Sequence, residues 1–364
     1  MRKESMTSRE RWEAILKREK PDRLPMDYWG TDETNEKILK YFRLESMEQF
    51  YTKFHLDVPL TIDIGLASDS KPDISLKYIG TKLEKGKDIY GLRYKKVEYK
   101  GGSYSECINH PLAEYETIEE IEKNYVWPSP DWFDYSVIKS QIKGKEDRPI
   151  IAGGSEPFLT YKDLRGDEQA FMDLILNPEI VEYCLDKLFD FRYEYTSRIY
   201  EQIPGQITCS YIAEDLGAQN DLMYSPDQIR KFLLPRMKRM IDLAHSAGIY
   251  VFHHDDGSIR KIIPDLIKIG IDILNPIQWK LPGMDRESLK KDFGDKVIFH
   301  GGVDNQYTLP FGSLKEVEEE VIKNIEILGE GGGYILAPSH KIQSITPPEN
   351  IEKMFEIGYE YVWR

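Results

Sequence analysis

Short apolar runs alternate with amphipathic segments along most of the chain. The apolar runs, each of which breaks into small or polar residues, are 150–154, 207–213, 250–254, 271–275, 297–302 and 333–337. The helical segments between and after them, recognised by apolar positions three and four residues apart, are 226–246, 259–269, 286–292, 314–328 and 348–359. Strands that alternate with helices predict right-handed crossover connections and a parallel sheet.

The amino-terminal part of the chain adds one predicted helix and two predicted strands to this alternation of strands and helices. Residues 8–17 place Trp12, Ile15 and Leu16 on one helical face, residues 24–28 follow as a short strand, and a weaker strand lies near 58–62. About eight strand–helix units in a chain of this length predict a (β/α)₈ barrel that forms one domain over residues 1–364. An open doubly wound sheet is the competing fold, and the sequence disfavours it because no GxGxxG or GxxxxGK[ST] loop follows a strand.

The pattern changes between about residues 75 and 125. Residues 89–99 alternate between apolar and polar positions, and the Gly101-Gly102 pair follows them. These features predict a β-hairpin excursion from the barrel rather than a separate domain, because no flexible linker flanks the segment.

Composition narrows the class of protein. The 364 residues are 40% hydrophobic, and 49 Lys+Arg against 63 Asp+Glu give a net charge of −14, which disfavours a nucleic-acid binder. No apolar run is long enough to span a bilayer, and the charged amino terminus lacks the apolar core of a secretory signal, so we expect a cytoplasmic enzyme. The three cysteines, Cys107, Cys184 and Cys209, have spacings that fit neither a disulfide framework nor a CxxC metal site.

Four of the seven histidines follow or end predicted strands. In a barrel these positions lie on the catalytic face. Residues two apart on an extended backbone project to the same side, so His254 and Asp256 form a His-x-Asp pair suited to zinc, although a one-residue change in register would bring in His253 instead. His340, after the last strand, and Glu214 complete a candidate ligand set, since a catalytic zinc site has three protein ligands.

Other polar residues at the strand ends are candidates for acid–base chemistry and substrate binding. Glu214 and Asp215 form a paired-carboxylate turn, for which acid–base catalysis is the functional interpretation and hydrogen bonding to loop amides the alternative. Asp256 has an alternative of its own, as the cap of a helix that opens near Ser258. The candidate substrate-binding residues at the remaining strand ends are Glu156, Asn275, Gln278, His300, Asp304 and Gln306.

Several motifs resemble the uroporphyrinogen decarboxylase superfamily over nearly the whole length. They are Thr7-x-Arg-Glu-Arg-Trp-x-Ala-Ile-Leu, Pro21-Asp-Arg-x-Pro25, Tyr224-Ser-Pro226 with Phe232-x-x-Pro235, the His-His-Asp-Asp-Gly strand end, Asp272-Ile-Leu-Asn275 and Thr346-Pro-Pro-Glu-Asn350. The resemblance implies a (β/α)₈ barrel and suggests a homodimer. Decarboxylases of the family carry an Arg-Gln-Ala-Gly-Arg segment after the first strand, whereas this chain has Tyr28-Trp-Gly-Thr-Asp-Glu-Thr, which disfavours a substrate with many carboxylates.

The corrinoid-dependent methyltransferase branch is the better match. Its members hold zinc with a His-x-Cys pair and a later cysteine; here His254 matches the histidine, and Asp256 and His340 stand where the cysteines would be. Oxygen and nitrogen ligands suit zinc that acts on an ether or alcohol oxygen better than zinc that activates a thiol. No cobalamin-binding segment is evident, so the resemblance implies a separate corrinoid protein as partner.

The sequence therefore predicts a zinc-dependent O-demethylase component that moves a methyl group from a small methoxylated donor to cobalt. In this hypothesis His254, Asp256 and His340 bind zinc, and Glu214 is either a fourth ligand or the acid that protonates the leaving oxygen. Two alternatives stay open: a metal-independent decarboxylase, and a non-catalytic module that binds a corrinoid protein.

Overall fold

The computed structural model describes residues 4–62, 72–99 and 102–362. Its strands are β1 (Leu60–Ile62), β2 (Lys77–Tyr78), β3 (Tyr94–Tyr99), β4 (Gly102–Cys107), β5 (Phe133–Asp134), β6 (Ile150–Ser155), β7 (Cys209–Ile212), β8 (Tyr250–His254), β9 (Ile273–Asn275), β10 (Ile298–Val303) and β11 (Tyr334–Pro338). Its helices are α1 (Ser8–Leu16), α2 (Asp32–Phe42), α3 (Met47–Lys53), α4 (Ile118–Asn124), α5 (Val137–Gln141), α6 (Pro157–Arg165), α7 (Asp167–Leu176), α8 (Pro178–Gln202), α9 (Pro226–Gln228), α10 (Leu234–Ser246), α11 (Ile263–Ile269), α12 (Arg286–Phe293), α13 (Thr308–Phe311), α14 (Leu314–Leu328) and α15 (Pro348–Glu360).

Seven parallel strands form the main sheet, in the order β1-β6-β7-β8-β9-β10-β11. The spatial order follows the chain order without the reversal that a doubly wound sheet requires, so the structure has a TIM-barrel-like α/β fold. The predicted strand at 24–28 lies along β11: Met26 bridges Leu336 in parallel, and the Asp27 N–H donates to the Leu336 carbonyl at 2.8 Å. Its other side meets the chain just before β1, where the Asp57 N–H donates to the Met26 carbonyl at 2.7 Å.

The barrel strands carry continuous apolar runs because helices cover the outside of the sheet and side chains fill its interior. Every residue of β6 and of β10 is buried. Parallel strands with both faces covered show this pattern rather than the alternation of a half-exposed sheet. The apolar runs in the sequence were therefore a sound signal for the barrel.

The segment between β6 and β7 departs most from the prediction, which placed no helix there. It contains α6, α7 and the 25-residue α8. Helix α8 contacts β6, α6, α7 and α10. Its buried residues are therefore spread around more than one face, and the single apolar stripe that identifies a surface helix is blurred.

The predicted helix at 226–246 is interrupted. It consists of α9, a π-helical turn at Ile229–Leu233 and α10. Pro235 lies in the first turn of α10 and supplies no backbone N–H, which accounts for the break ahead of it.

Two antiparallel strands leave the barrel between β1 and β6. Strand β3 pairs with β4 from Tyr94 opposite Cys107 to Tyr99 opposite Gly102, and Lys100 and Gly101 lie outside the described residues. The Tyr99 hydroxyl donates to Gln343 Oε1 at 2.7 Å, which attaches this pair to the loop after β11. Within the described ranges, no helix combines the length and apolar character needed to cross a membrane.

Candidate metal centre

Three side chains from the ends of β8 and β11 lie together at the carboxyl end of the sheet. His254 is the last residue of β8, Asp256 follows two residues later, and His340 follows two residues after β11. One ligand atom from each lies within 4.8 Å of the others, and the described residues contain no other group of three histidines, cysteines or carboxylates that meets this condition. Asp256 Oδ2 is 3.9 Å from His254 Nε2 and 3.4 Å from His340 Nε2.

The register of β8 assigns the two adjacent histidines to different environments. His253 is fully buried, and its Nδ1 lies 2.7 Å from the Ile212 carbonyl. Burial lowers the pKa of His253 to about 4, so this imidazole is neutral at physiological pH. His254 projects to the opposite side of the strand, into the three-residue cluster.

Two glycines bring the loops after β7 and β8 into direct contact beside the cluster. A Cβ on Gly217 would lie 2.3 Å from the Asp256 carbonyl oxygen, and Gly257 has φ +94° with its ideal Cβ 2.5 Å from the Gly217 carbonyl carbon. Only glycine allows this approach of one backbone to another. Asp256 therefore sits in an irregular turn and does not cap a helix at Ser258, since α11 begins only at Ile263.

His254 is oriented from behind by a side chain that we had expected to bind substrate. Asn275 Oδ1 lies 2.6 Å from His254 Nδ1. This contact orients the ring so that its Nε2 faces Asp256 and His340. The ring of Trp29 packs against His254 with its centroid 5.6 Å away, a contact that the sequence argument missed because Tyr28-Trp-Gly was considered only for its lack of arginine.

The electrostatic environment of the cluster is acidic. Burial lowers the pKa of His254, but the charges of Asp256 and Asp215 outweigh this effect and leave that pKa raised. Burial raises the pKa of Glu156 to about 7, assisted by the charge of Asp215. In the described part of the chain, none of the carboxylates of Glu156, Asp215 and Asp256 forms an ion pair with lysine or arginine.

Glu214 occupies a different position from the one expected of a ligand. It is not among the three clustered residues, and its carboxyl group accepts the Phe158 N–H at 3.2 Å in the first turn of α6. Burial raises the pKa of Glu214 well above its ordinary value, and the charge of Glu156 adds to the shift. Glu214 therefore supports the helix start that carries Glu156 as its N-cap.

The donor set fits a zinc ion. Asp256 Oδ1 is buried and has no hydrogen-bond partner among the described residues, and the same is true of Asp215 Oδ1 nearby. A buried carboxylate oxygen without a partner is costly unless a ligand satisfies it. Two imidazole nitrogens and one carboxylate oxygen are ligands that zinc commonly takes, with one position left for a substrate.

A cavity of about 210 Å³ opens onto Asp256 and His340. Two of the predicted substrate-binding residues, Gln278 and Gln306, line it, and Gln278 Oε1 also accepts the Gly257 N–H at 2.6 Å. The lining also includes Asn305, which adjoins the predicted Gln306, and residues that the sequence gave no reason to select, namely Gly217, Ala218 and Gln219.

Three of the predicted substrate-binding side chains are engaged by other groups of the protein. Asn275 and His300 are buried within the barrel, and their side chains bond to each other at 2.7 Å and to further buried groups. The carboxylate of Asp304 accepts hydrogen bonds from the N–H groups of Tyr307 and Thr308 and forms an ion pair with Lys280. Its oxygens therefore already have partners within the protein. A strand-end position alone does not show whether a polar side chain faces the cavity or the interior.

Comparison with known proteins gives one family and several relatives. The uroporphyrinogen decarboxylase (URO-D) family model matches residues 95–361. A methylcobamide:CoM methyltransferase, MtaA, from Methanosarcina barkeri is 27% identical over 215 residues, and this alignment covers 59% of each chain, so the chain spans about three-fifths of that relative. The methylcobamide:CoM methyltransferase MtbA from Methanosarcina acetivorans is 23% identical over 98% of both chains.

A solved structure supports the fold. The methyltransferase from Methanosarcina mazei superposes with a TM-score of 0.67 at 20% sequence identity. The match covers 97% of this chain and 98% of that one. At this identity the likeness establishes a shared fold.

Proposed function

The chain belongs to the uroporphyrinogen decarboxylase family, and on that premise we propose that it is a zinc-dependent methyltransferase acting with a separate corrinoid protein. The methyl donor in this proposal is a small, uncharged methoxylated compound. The observation that carries the proposal is the cluster of His254, Asp256 and His340 at the mouth of the barrel. The methyltransferase names of the relatives agree with it.

The three clustered residues would hold the zinc ion. When bound, zinc supplies a Lewis acid at the oxygen of the methyl donor. Hard oxygen and nitrogen ligands favour an oxygen substrate over a thiol, in contrast to a thiolate-rich site.

The neighbouring side chains would position the donor and supply a proton. Gln278 and Gln306 line the cavity and would bind the donor by hydrogen bonds. Methyl transfer would break the carbon–oxygen bond, with Co(I) of the corrinoid protein supplying the electron pair for the new bond to carbon. The pair of the broken bond would stay on oxygen, which needs a proton to leave as an alcohol. Glu156 would give that proton, since its pKa is about 7, with Asp215 raising this pKa and Glu214 holding the helix start.

The charge of the cavity favours a neutral donor over a polycarboxylate. Among the described residues that line it, none is lysine or arginine. A decarboxylase for a substrate with several carboxylates needs cationic side chains there. Arg260, the arginine nearest to the site in sequence, pairs with Asp292 instead and stacks on Phe293.

A turnover assay tests the proposal. Purified protein with zinc, a corrinoid acceptor reduced to Co(I) and a panel of methoxylated compounds should yield a demethylated product and methylated corrinoid. His340→Ala should abolish both, while His110→Ala, an exposed histidine outside the cluster, should retain them. Equal turnover in His340→Ala would contradict the proposal. No turnover of any donor by the zinc-loaded protein would favour a corrinoid-protein binding module instead.

A further inference from the structure

A buried chain of hydrogen bonds runs from His254 into the interior of the barrel. Asn275 links His254 to His300: its side-chain oxygen lies 2.6 Å from His254 Nδ1, and its side-chain nitrogen lies 2.7 Å from His300 Nδ1. His300 Nε2 then lies 3.0 Å from Asp27 Oδ2. All four residues are buried, so no solvent competes for these groups.

The acceptor at one end of this series of hydrogen bonds determines which group donates in each of them. The carboxylate of Asp27 only accepts, and it also receives Trp29 Nε1–H at 2.9 Å and the Tyr28 N–H at 2.7 Å. His300 must therefore donate from Nε2, which in a neutral ring leaves Nδ1 as an acceptor. The Asn275 side-chain nitrogen donates to His300 Nδ1, and the Asn275 side-chain oxygen therefore accepts from His254 Nδ1.

The opposite orientation of the Asn275 amide leaves the contact between His300 and Asp27 without a donor when His300 is neutral. Its nitrogen would then face His254, and its oxygen would require a proton on His300 Nδ1. A neutral His300 would present a bare Nε2 to the Asp27 carboxylate at 3.0 Å, with two acceptors facing each other in a buried site. The structure thus has one consistent pattern of donors for neutral rings.

We infer that Asn275, His300 and Asp27 are positioning residues that hold His254 in the Nδ1–H tautomer and so reserve its Nε2 for a metal ion. The role in metal binding rests on the proposed function, whereas the tautomer of His254 is set by the hydrogen bonds and does not depend on a bound metal. Partners behind a ligating histidine fix its ring orientation and make it a better donor. Nothing at the strand ends in the sequence distinguished these buried residues from substrate contacts.

The first test needs no metal, and it reads the tautomers in the wild-type protein, with variants used only to assign signals. Long-range ¹H–¹⁵N correlation spectra of ¹⁵N-histidine-labelled, metal-free protein report the tautomer of each neutral ring, recorded above the pH at which His254 titrates. We expect a proton on Nδ1 of His254 and on Nε2 of His300, with assignments from the loss of signals in His254→Gln and His300→Gln. A proton on Nε2 of His254, or a mixture of tautomers, would overturn the inference.

The second test measures zinc affinity by competition with a chromogenic chelator. Asn275→Ala and His300→Gln should each weaken zinc binding by about 10- to 100-fold, the range for partners behind a ligand. Asn275→Asp keeps an acceptor for His254 and should bind zinc about tenfold more tightly than Asn275→Ala. Equal affinities in those two variants, or wild-type affinity in Asn275→Ala, would contradict the inference.

A matched control separates this effect from general damage to the core. Asn350 is also a buried asparagine, whose amide donates to the carbonyls of Leu309 and Gly312 and contacts no member of the cluster by hydrogen bond. Asn350→Ala should change zinc affinity by less than about twofold despite losing stability. If wild-type protein binds no zinc at all, the proposed function fails, and the tautomer spectra still decide the inference.

Discussion

Charged side chains are paired with one another at the amino end of the barrel, whereas Glu156, Asp215 and Asp256 at the carboxyl end have no lysine or arginine partner among the described residues. At the amino end, the buried Asp57 carboxylate meets Arg11 at 3.0 Å and Arg23 at 2.6 Å. At the carboxyl end, Glu156 and Asp256 lie near histidines and other carboxylates, and no lysine or arginine within residues 4–62, 72–99 and 102–362 forms an ion pair with either of them. The charges at the amino end pair with one another, and the proposed metal site would use those at the carboxyl end.

The acidic groups at the carboxyl end lower the stability of the fold, and other parts of the molecule must offset this loss. Unpaired buried carboxylates and a raised carboxyl pKa cost free energy, which the packed core and the paired end offset. Residues that could relieve the cost, such as an arginine beside Asp256, would also fill the position that a metal ion needs. The contrast predicts opposite outcomes for substitutions at the two ends.

The largest effect on stability is expected at the amino end. Asp57→Ala removes the fully buried carboxylate from Arg11 and Arg23, whose remaining partners Glu4 and Asp22 are partly exposed, and should lower the free energy of unfolding by about 3–5 kcal/mol. Denaturant unfolding measures this, with Asp227→Ala as the control, because the exposed Arg230–Asp227 pair should contribute no more than about 1 kcal/mol. Folded Asp57→Ala protein should still bind zinc; loss of zinc from the folded variant would show that the two ends are not independent.

A smaller effect of opposite sign is expected at the carboxyl end. Burial holds the pKa of Glu156 at about 7 against 4.5 for an ordinary glutamate, so the folded state binds its proton more tightly than the unfolded chain. Stability of the metal-free protein should therefore fall as the pH rises from about 4.5 to 7, by roughly 2–3 kcal/mol from this group. Glu156→Gln removes the penalty and should be more stable than wild type above pH 7, and by progressively less towards pH 4.5.

The control for that pH dependence is an exposed glutamate. Glu168 is exposed, so Glu168→Gln should change stability far less than Glu156→Gln does. A stability difference between Glu156→Gln and wild type that does not vary with pH would contradict the account of the acidic mouth.

The sequence predicted those parts of the fold that depend on local pattern. The repeated apolar runs identified the barrel strands. The cluster of His254, Asp256 and His340 could be predicted because each residue lies at or just after the end of a strand, and the barrel topology brings the ends of β8 and β11 to the same face. The helices α6 to α8 were missed because packing on several sides hides their periodicity.

The chain behind His254 required the three-dimensional register. Asn275 and His300 end or lie within neighbouring strands, and only the alignment of β8 with β9 places Asn275 beside His254. The same alignment separates His253 from His254. The sequence identifies Asn275 and His300 as candidates for the site. It does not show whether such residues face the cavity or the interior of the barrel.

Metal content tests the central claim most directly. Plasma mass spectrometry of purified protein supplied with zinc should find about one zinc per chain, as a single three-ligand site requires. His245→Ala, which changes a histidine bonded to Asp272 at the opposite end of the barrel, should keep that zinc, whereas His254→Ala and His340→Ala should lose it. Zinc-free wild-type protein, or full zinc content in His254→Ala, would contradict the claim that the mouth of this barrel is a metal centre.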